Sequence, residues 1–312
     1  MITEKEIQSL PFSLFRQHLL IPKLIKKYKI DLEFVPSPGG CLFSSHPRII
    51  VVHDLYMKVI EQHYKPRHRF WWDLFFPIKA RTAKHIICVS KNTENDLHKY
   101  YPYTKNKSIA IHNGPCLTAD DNYKIKNKEN FGVFVANVTP NKGAKTLIEA
   151  MSILEKKGVD VDIWHIGLDS DNRLDKYANQ FNNNKLPIKK GMVSQEELRR
   201  IYTKARFLAF PSEYEGFGLP IIEAQSFGTV PVATDIPVLR EVAGEGAVFF
   251  ELNNAEDMAD KIEDILNDDL FMSKTKKGQE NSKKYSWSEA ARQTVEVFNK
   301  TLKAPKINEI NK

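Results

Sequence analysis

Short apolar runs alternate with longer amphipathic ones through the first third of the chain. DLEFV (31–35), RIIVVHD (48–54), HIICVS (85–90) and SIAIHNG (108–114) are rich in Ile and Val and end in polar or turn residues, which predicts strands. Helical patterns fall at about 12–29, 68–83 and 92–101. Strands separated by helices predict a parallel sheet covered on both faces. Residues 115–130 are polar with little periodicity and read as a linker. The pattern then restarts, with strands predicted at 131–138, 161–167, 206–212, 230–235 and 246–251. Helices are predicted at 145–158, 194–205, 219–228, about 255–267 and 286–303. Ser194 with Glu197, and Ser286 with Glu289, have the spacing of capping boxes. The chain therefore reads as two doubly wound α/β units, an architecture that leaves a cleft for ligands at strand C-terminal ends.

Composition narrows this picture. Apolar residues make up 42% and charged residues 27% of 312 residues, which argues against a disordered or fibrous chain. No apolar run reaches the ~20 residues of a membrane helix, and the N-terminus lacks a basic-then-apolar leader pattern. Cys41, Cys88 and Cys116 form neither a zinc pattern nor a disulfide framework, so a reducing cytoplasm is expected. The net charge of +7 is uneven: residues 1–118 carry +9 and residues 119–312 carry −2. Such asymmetry suits a basic surface facing something anionic, whether nucleic acid, membrane or a phosphorylated substrate.

The densest chemistry lies in PSEYEGFGLPIIEAQSFGTVPVATD (211–235). A strand runs into Pro211-Ser212, and Gly216-Phe217-Gly218 then leads into a helix at Leu219-Pro220, where Pro suits the first helical turn. The glycines allow close backbone approach, and free N–H groups at the helix start make an anion site suited to a diphosphate. Glu215 in the loop and Glu223 one turn into the helix are poor neighbours for phosphate alone. They make sense as acceptors from sugar hydroxyls: Glu223 from ribose, Glu215 from a transferred sugar. Read alone, the stretch also fits a plain strand–helix turn with two solvated glutamates.

The whole string resembles the E-x7-E motif of retaining GT-B glycosyltransferases of glycosyltransferase family 4, approximately PSxxEGFGLPxxEAMAxGTPVVxS. Glu215, Glu223, Gly216, Phe217, Gly218, Leu219, Pro220, Ala224, Gly228, Thr229 and Pro231 match, with Val230 inserted. FVANVTPNKGAKTL (134–147) is similar to the family's VGRLxPxKG segment. Lys142 matches its Lys, Asn137 stands where Arg is usual, and Ala136 replaces Gly, as in members resembling mannosyl- and rhamnosyltransferases of surface polysaccharides. His53, after RIIVV, matches the family's His-Asp. GMVSQEEL (191–198), with Val193, resembles the loop that meets the nucleotide base.

The resemblance implies a GT-B fold: an N-terminal acceptor-side domain over 1–117, a nucleotide-sugar domain over 118–285, and a helix at 286–312 returning toward the first. On the family pattern about 60–80 further residues would precede this start, so a shortened N-terminal domain is expected. It further implies transfer of a hexose, with retention, from a GDP-, UDP- or dTDP-linked sugar to a glycan or lipid-linked hydroxyl. Catalytic roles fall to His53, Lys142 and Glu215. Asn137, Val193, Gly216, Phe217, Gly218, Leu219, Pro220 and Glu223 bind the donor, with Lys142 and the amides of 218–220 meeting the diphosphate. No metal or cofactor is required. The rival reading is a non-catalytic or split-enzyme subunit whose partner completes the N-terminal domain.

Asp169-Ser170-Asp171 reads as D-x-D, a metal–nucleotide motif of a different glycosyltransferase architecture, and is set aside because Lys142 and a helix start already serve the phosphates. YKPRHRFWWDLFFPIKAR (64–81) interleaves basic and aromatic residues. It fits an anionic membrane surface, hence a peripheral position on the inner membrane face, or else a helix with a buried aromatic face and solvated basic edges. Nucleic-acid binding is not expected, since no recognition module accompanies the charge.

Overall fold

The computed structural model describes residues 21–37, 41–42, 46–63, 66–120, 128–181 and 186–303. The chain forms two compact units, Met1–His112 with Ser288–Lys312, and Asn113–Trp287.

The first unit contains a parallel sheet of β1 (Glu33–Val35), β2 (Arg48–Val52), β3 (His85–Cys88) and β4 (Ser108–Ala110), in that spatial order. All five residues of β2 are buried, as the unbroken Ile-Ile-Val-Val run demands of an inner parallel strand. Helices α1 (Ile21–Tyr28), α2 (Tyr56–Val59), α3 (Pro66–Thr82) and α4 (Lys91–Tyr100) accompany it. Ser90 caps α4 by accepting the Thr93 N–H. The core joins Ile50, Val52, Ile86 and Cys88 of the strands to Phe76 and Ala80 of α3 and Leu97 of α4. The C-terminal helix, Trp287–Lys303, supplies Thr301, whose Oγ1 lies 2.9 Å from His85 Nδ1, and Phe298, which packs edge-on to Phe34 at 5.1 Å. The helix expected at 12–29 is described from Ile21 onward, and its earlier part lies outside the described residues.

The second unit has a six-stranded parallel sheet: β5 (Glu129–Val135), β6 (Asp162–Ile166), β7 (Ile188–Gly191), β8 (Ala205–Phe210), β9 (Val230–Thr234) and β10 (Val248–Phe250). Their spatial order is β10-β9-β8-β5-β6-β7, with every neighbouring pair parallel. The chain winds outward one way from β5 and the other way from β8. The boundary between β5 and β8 is thus a topological switch point, where ligands bind open α/β sheets. Among the described residues, α5 (Ala144–Lys156), α6 (Arg173–Phe181), α7 (Gln195–Lys204), α8 (Leu219–Ser226) and α9 (Pro237–Ala243) join successive strands, and α10 (Ala255–Ile265) and α11 (Asp268–Ser282) follow β10.

Four of these elements escape the sequence reading. Strand β7 is Ile-Lys-Lys-Gly at the sheet edge with no buried residue, so no hydrophobic alternation marks it. The short helices α6 and α9 follow turn-rich segments. Helix α11 is polar and contains Gly278, which reads as a breaker. There the glycine serves close packing: a Cβ on Gly246 would stand 2.3 Å from Gly278 Cα. The predicted linker also overlaps β5, which begins at Glu129; residues 121–127 lie outside the described residues.

Candidate active site

The loops that leave β5 and β8 meet at the switch point, and local sequence explains how. After β5 the chain makes a short turn, Pro140–Lys142, and enters α5 through Gly143, whose φ is +65°. A Cβ on Gly143 would fall 1.8 Å from the Pro211 carbonyl oxygen, so the β5 loop lies directly against the start of the β8 loop. The Glu213 N–H donates to the Asn141 carbonyl at 2.8 Å, and Asn141 Nδ2 to the Tyr214 carbonyl at 3.5 Å. Stitched in this way, the two loops bring Lys142 Nζ to 2.5 Å from Glu215 Oε1. Both side chains are largely covered, 25% and 13% exposed.

The β8 loop continues to Gly218, whose φ of +106° turns the chain into α8. Only two of the three residues 218–220 can supply the expected amide donors. Pro220 has no N–H, and the Ile221 N–H already donates to the Gly218 carbonyl. Gly218 and Leu219 therefore carry the donors of this helix start, where the partial positive charge of the helix favours an anion. Phe217 is buried and packs edge-on to Tyr285, with ring centroids 5.6 Å apart.

Glu223 lies one turn into α8 and is only 6% exposed. Its Oε1 accepts the Cys116 N–H at 3.1 Å, and the Leu117 N–H is a second donor to the same carboxylate. Burial raises its pKa from 4.5 to about 6, against the lowering effect of these two amides. The spacing of the motif revealed the carboxylate but not its hold on Cys116 and Leu117, because that partner is distant in sequence.

The other candidates take separate positions. Asn137 Oδ1 accepts the Leu168 N–H at 2.9 Å, tying the exit of β5 to that of β6. Val193 is half-buried in the loop between β7 and α7, beside Ser194, which caps α7 through the Glu197 N–H. His53 follows β2 in the first unit, exposed, and its Nε2 donates to the Pro36 carbonyl at 2.8 Å. Lys142 and Glu215 are thus brought into contact, whereas His53 belongs to the other unit. In the D-x-D triplet, Asp169 accepts the Arg173 and Leu174 N–H groups at the start of α6, and Asp171 pairs with Arg173 at 2.8 Å.

A doubly wound sheet with a lysine loop and a glycine-led helix start at its switch point has the build of an α/β protein that binds a phosphorylated ligand. Comparison with known proteins names the class more closely. The family described as glycosyl transferases group 1 matches residues 118–285, and that described as Glycosyltransferase Family 4 matches residues 7–115. An uncharacterized glycosyltransferase of Methanocaldococcus jannaschii is 30% identical over 305 residues, covering 89% of this chain and 80% of that protein. An O-antigen chain mannosyltransferase of Salmonella typhimurium is 28% identical over 226 residues, covering 69% of this chain and 60% of that protein. Among solved structures, a glycosyltransferase from Rickettsia africae superposes with a TM-score of 0.71 at 21% identity, over 98% of this chain and 85% of that one. Anabaena HepE, solved with UDP and glucose, gives 0.74 at 16% identity, over 94% and 84%. The chain belongs to glycosyltransferase family 4; it is a glycosyltransferase with the GT-B fold. Among the described residues no helix is long and apolar enough to cross a membrane.

Proposed function

We propose that this enzyme moves a hexosyl group from a nucleoside-diphosphate sugar to a hydroxyl of a glycan or lipid-linked acceptor, with retention at the anomeric carbon and without a metal or cofactor. The observation that carries this reading is the meeting of the Lys142 and Glu215 loops at the β5–β8 switch point. A cation and a helix start there can meet a diphosphate, and a carboxylate beside them can accept sugar hydroxyls. The relationship to an O-antigen mannosyltransferase makes mannose, carried by GDP, the first sugar to test, with UDP- and dTDP-sugars beside it.

In this reading Glu223 accepts from ribose, Glu215 and the 216–218 backbone hold the sugar, and Val193 lies by the base. Asn137 holds the loop that presents Lys142. Lys142 and the Gly218 and Leu219 amides stabilise the diphosphate as the anomeric carbon–oxygen bond breaks. The acceptor hydroxyl attacks from the face the diphosphate leaves, and its proton passes to a phosphate oxygen. His53 is assigned to the acceptor side. The +9 charge of residues 1–118 suits an acceptor held at the inner, anionic surface of a membrane.

The test is a thermal-shift screen of nucleotide-sugars followed by donor turnover with Lys142→Ala and Glu223→Ala. Undiminished transfer by both variants would sink the assignment. Absence of turnover by the intact chain, restored by a second protein, would support the split-enzyme reading instead.

A further inference from the structure

Helix α3 is apolar on two opposite sides. Trp72 and Phe76 stack at 4.6 Å, and Phe76 reaches Tyr101 at 4.9 Å inside the core of the first unit. The other side turns outward. Phe70 is 61%, Trp71 49% and Leu74 45% exposed. Trp71 lies parallel to Phe75 at 5.3 Å and edge-on to Phe70 at 5.4 Å, so these rings form one continuous surface ladder. At 100° per residue, Arg67 and Arg81 fall on this same outward side, one at each end of the apolar stretch. Both are exposed.

The charge around this helix is one-sided. Between Glu61 and Glu94 the sequence has seven Lys or Arg and a single acidic residue, Asp73. Asp73 is paired with Lys58 at 2.5 Å and lies off the aromatic side. Glu61 is paired with Arg69. A second copy of this chain docking face to face would set arginine against arginine, which opposes self-association through this patch. An anionic bilayer surface complements it instead: rings settle at the headgroup boundary while the flanking cations meet lipid charge.

We propose that the Phe70–Trp71–Leu74 face of α3, flanked by Arg67 and Arg81, is the surface by which this enzyme rests on an anionic lipid bilayer. The inference builds on the membrane-borne acceptor proposed above and adds the residues that make the contact.

Co-sedimentation with phosphatidylcholine vesicles, with and without about 30 mol% phosphatidylglycerol, tests it. The wild type is expected to bind the anionic vesicles preferentially. Phe70→Ser/Trp71→Ser/Leu74→Ser is expected to lose at least about ten-fold in partitioning. Arg67→Gln/Arg81→Gln is expected to lose the preference for phosphatidylglycerol. Both variants should keep the wild-type melting temperature and donor turnover with a water-soluble acceptor, because the substituted side chains are exposed. Equal binding by wild type and the triple variant, or no binding by wild type, overturns the proposal. So does a lipid-free dimer, seen by light scattering, that the triple variant abolishes. Lipid binding without sugar transfer would overturn the proposed function and leave this contact standing; transfer without lipid binding would do the reverse.

Discussion

Lys142 Nζ lies 2.5 Å from Glu215 Oε1, so the cation assigned to the leaving diphosphate and the carboxylate assigned to the sugar neutralise each other when no donor is present. The pair spans two loops that the Gly143–Pro211 contact already holds together. On the proposed assignment, a nucleoside diphosphate that takes Lys142 as its cation has to displace Glu215 from it.

The exchange has a measurable consequence. Glu215→Gln removes the competing charge and should tighten binding of the free nucleoside diphosphate. A partly covered pair of this kind contributes up to about 1 kcal/mol, equivalent to roughly five-fold in affinity. The same variant should transfer sugar more slowly, because the hydroxyl acceptor is weakened. Calorimetric titration with UDP and GDP, alongside turnover, reads both effects; weaker nucleotide binding would contradict the competition.

Gly143→Ala should damage stability and turnover together. The new Cβ would meet the Pro211 carbonyl oxygen at 1.8 Å in a backbone conformation with φ of +65°. A clash with backbone cannot be relieved by a rotamer, so the Lys142 loop must move. A loss of about 1–3 kcal/mol is expected from urea midpoints. Turnover should fall further than that loss alone explains, because reacting groups displaced by about 1 Å cost on the order of 100-fold.

Glu223 should give stability a pH dependence. Its folded pKa, about 6, lies above the ordinary 4.5. Between these values the folded state holds a proton that the unfolded state has released, so the contribution of Glu223 to stability falls as pH rises toward 6. Glu223→Gln removes this dependence. Its stability relative to wild type should improve by on the order of 2 kcal/mol between about pH 4.5 and pH 7, measured by denaturant unfolding. A constant difference across that range would refute the buried, raised carboxyl. If the carboxylate also accepts from ribose, nucleotide affinity should weaken below pH 6 in wild type more than in the variant.

Lys128 holds the second unit together from its interior. Its Nζ donates to the carbonyls of Tyr202 and Phe227 at 2.7 and 2.8 Å and to Thr229 Oγ1 at 3.0 Å, joining the end of α7 to the end of α8. Burial lowers its pKa to about 7. Lys128→Met keeps the apolar stem but leaves these acceptors without that donor. A loss of about 1–3 kcal/mol in urea unfolding is expected. An unchanged midpoint would show that the three contacts are replaced by solvent at no cost.

Much of the site was legible because its elements are local. Gly216-Phe217-Gly218 before Leu219-Pro220 specifies a turn into a helix whatever else surrounds it, and the interval from Glu215 to Glu223 is a fact of spacing. Lys142 stood in a strand–turn–helix passage for the same reason. The contacts of these residues were not legible. Nothing in the sequence near Glu223 announces Cys116 as its donor, and Lys128, in a segment read as linker, gives no sign that oxygens from the ends of α7 and α8 and from Thr229 surround it. Helix α11 was missed because its buried side is built from Phe271, Thr275, Gly278 and Ser282, which scarcely differ in polarity from the rest of the helix.

The sequence by itself determined two α/β units, the glycine-led turn into α8 and the unequal division of charge, since each depends on periodicity, turn chemistry or composition along the chain. Only the tertiary structure decided which side chains face one another. It set strand β8 beside β5 although β6 and β7 intervene, and so joined Lys142 to Glu215. It also divided the aromatic residues of α3 between core and surface. Both outcomes rest on parallel sheet order and on which helix face finds a partner, and these are long-range packing choices that no local stretch encodes alone.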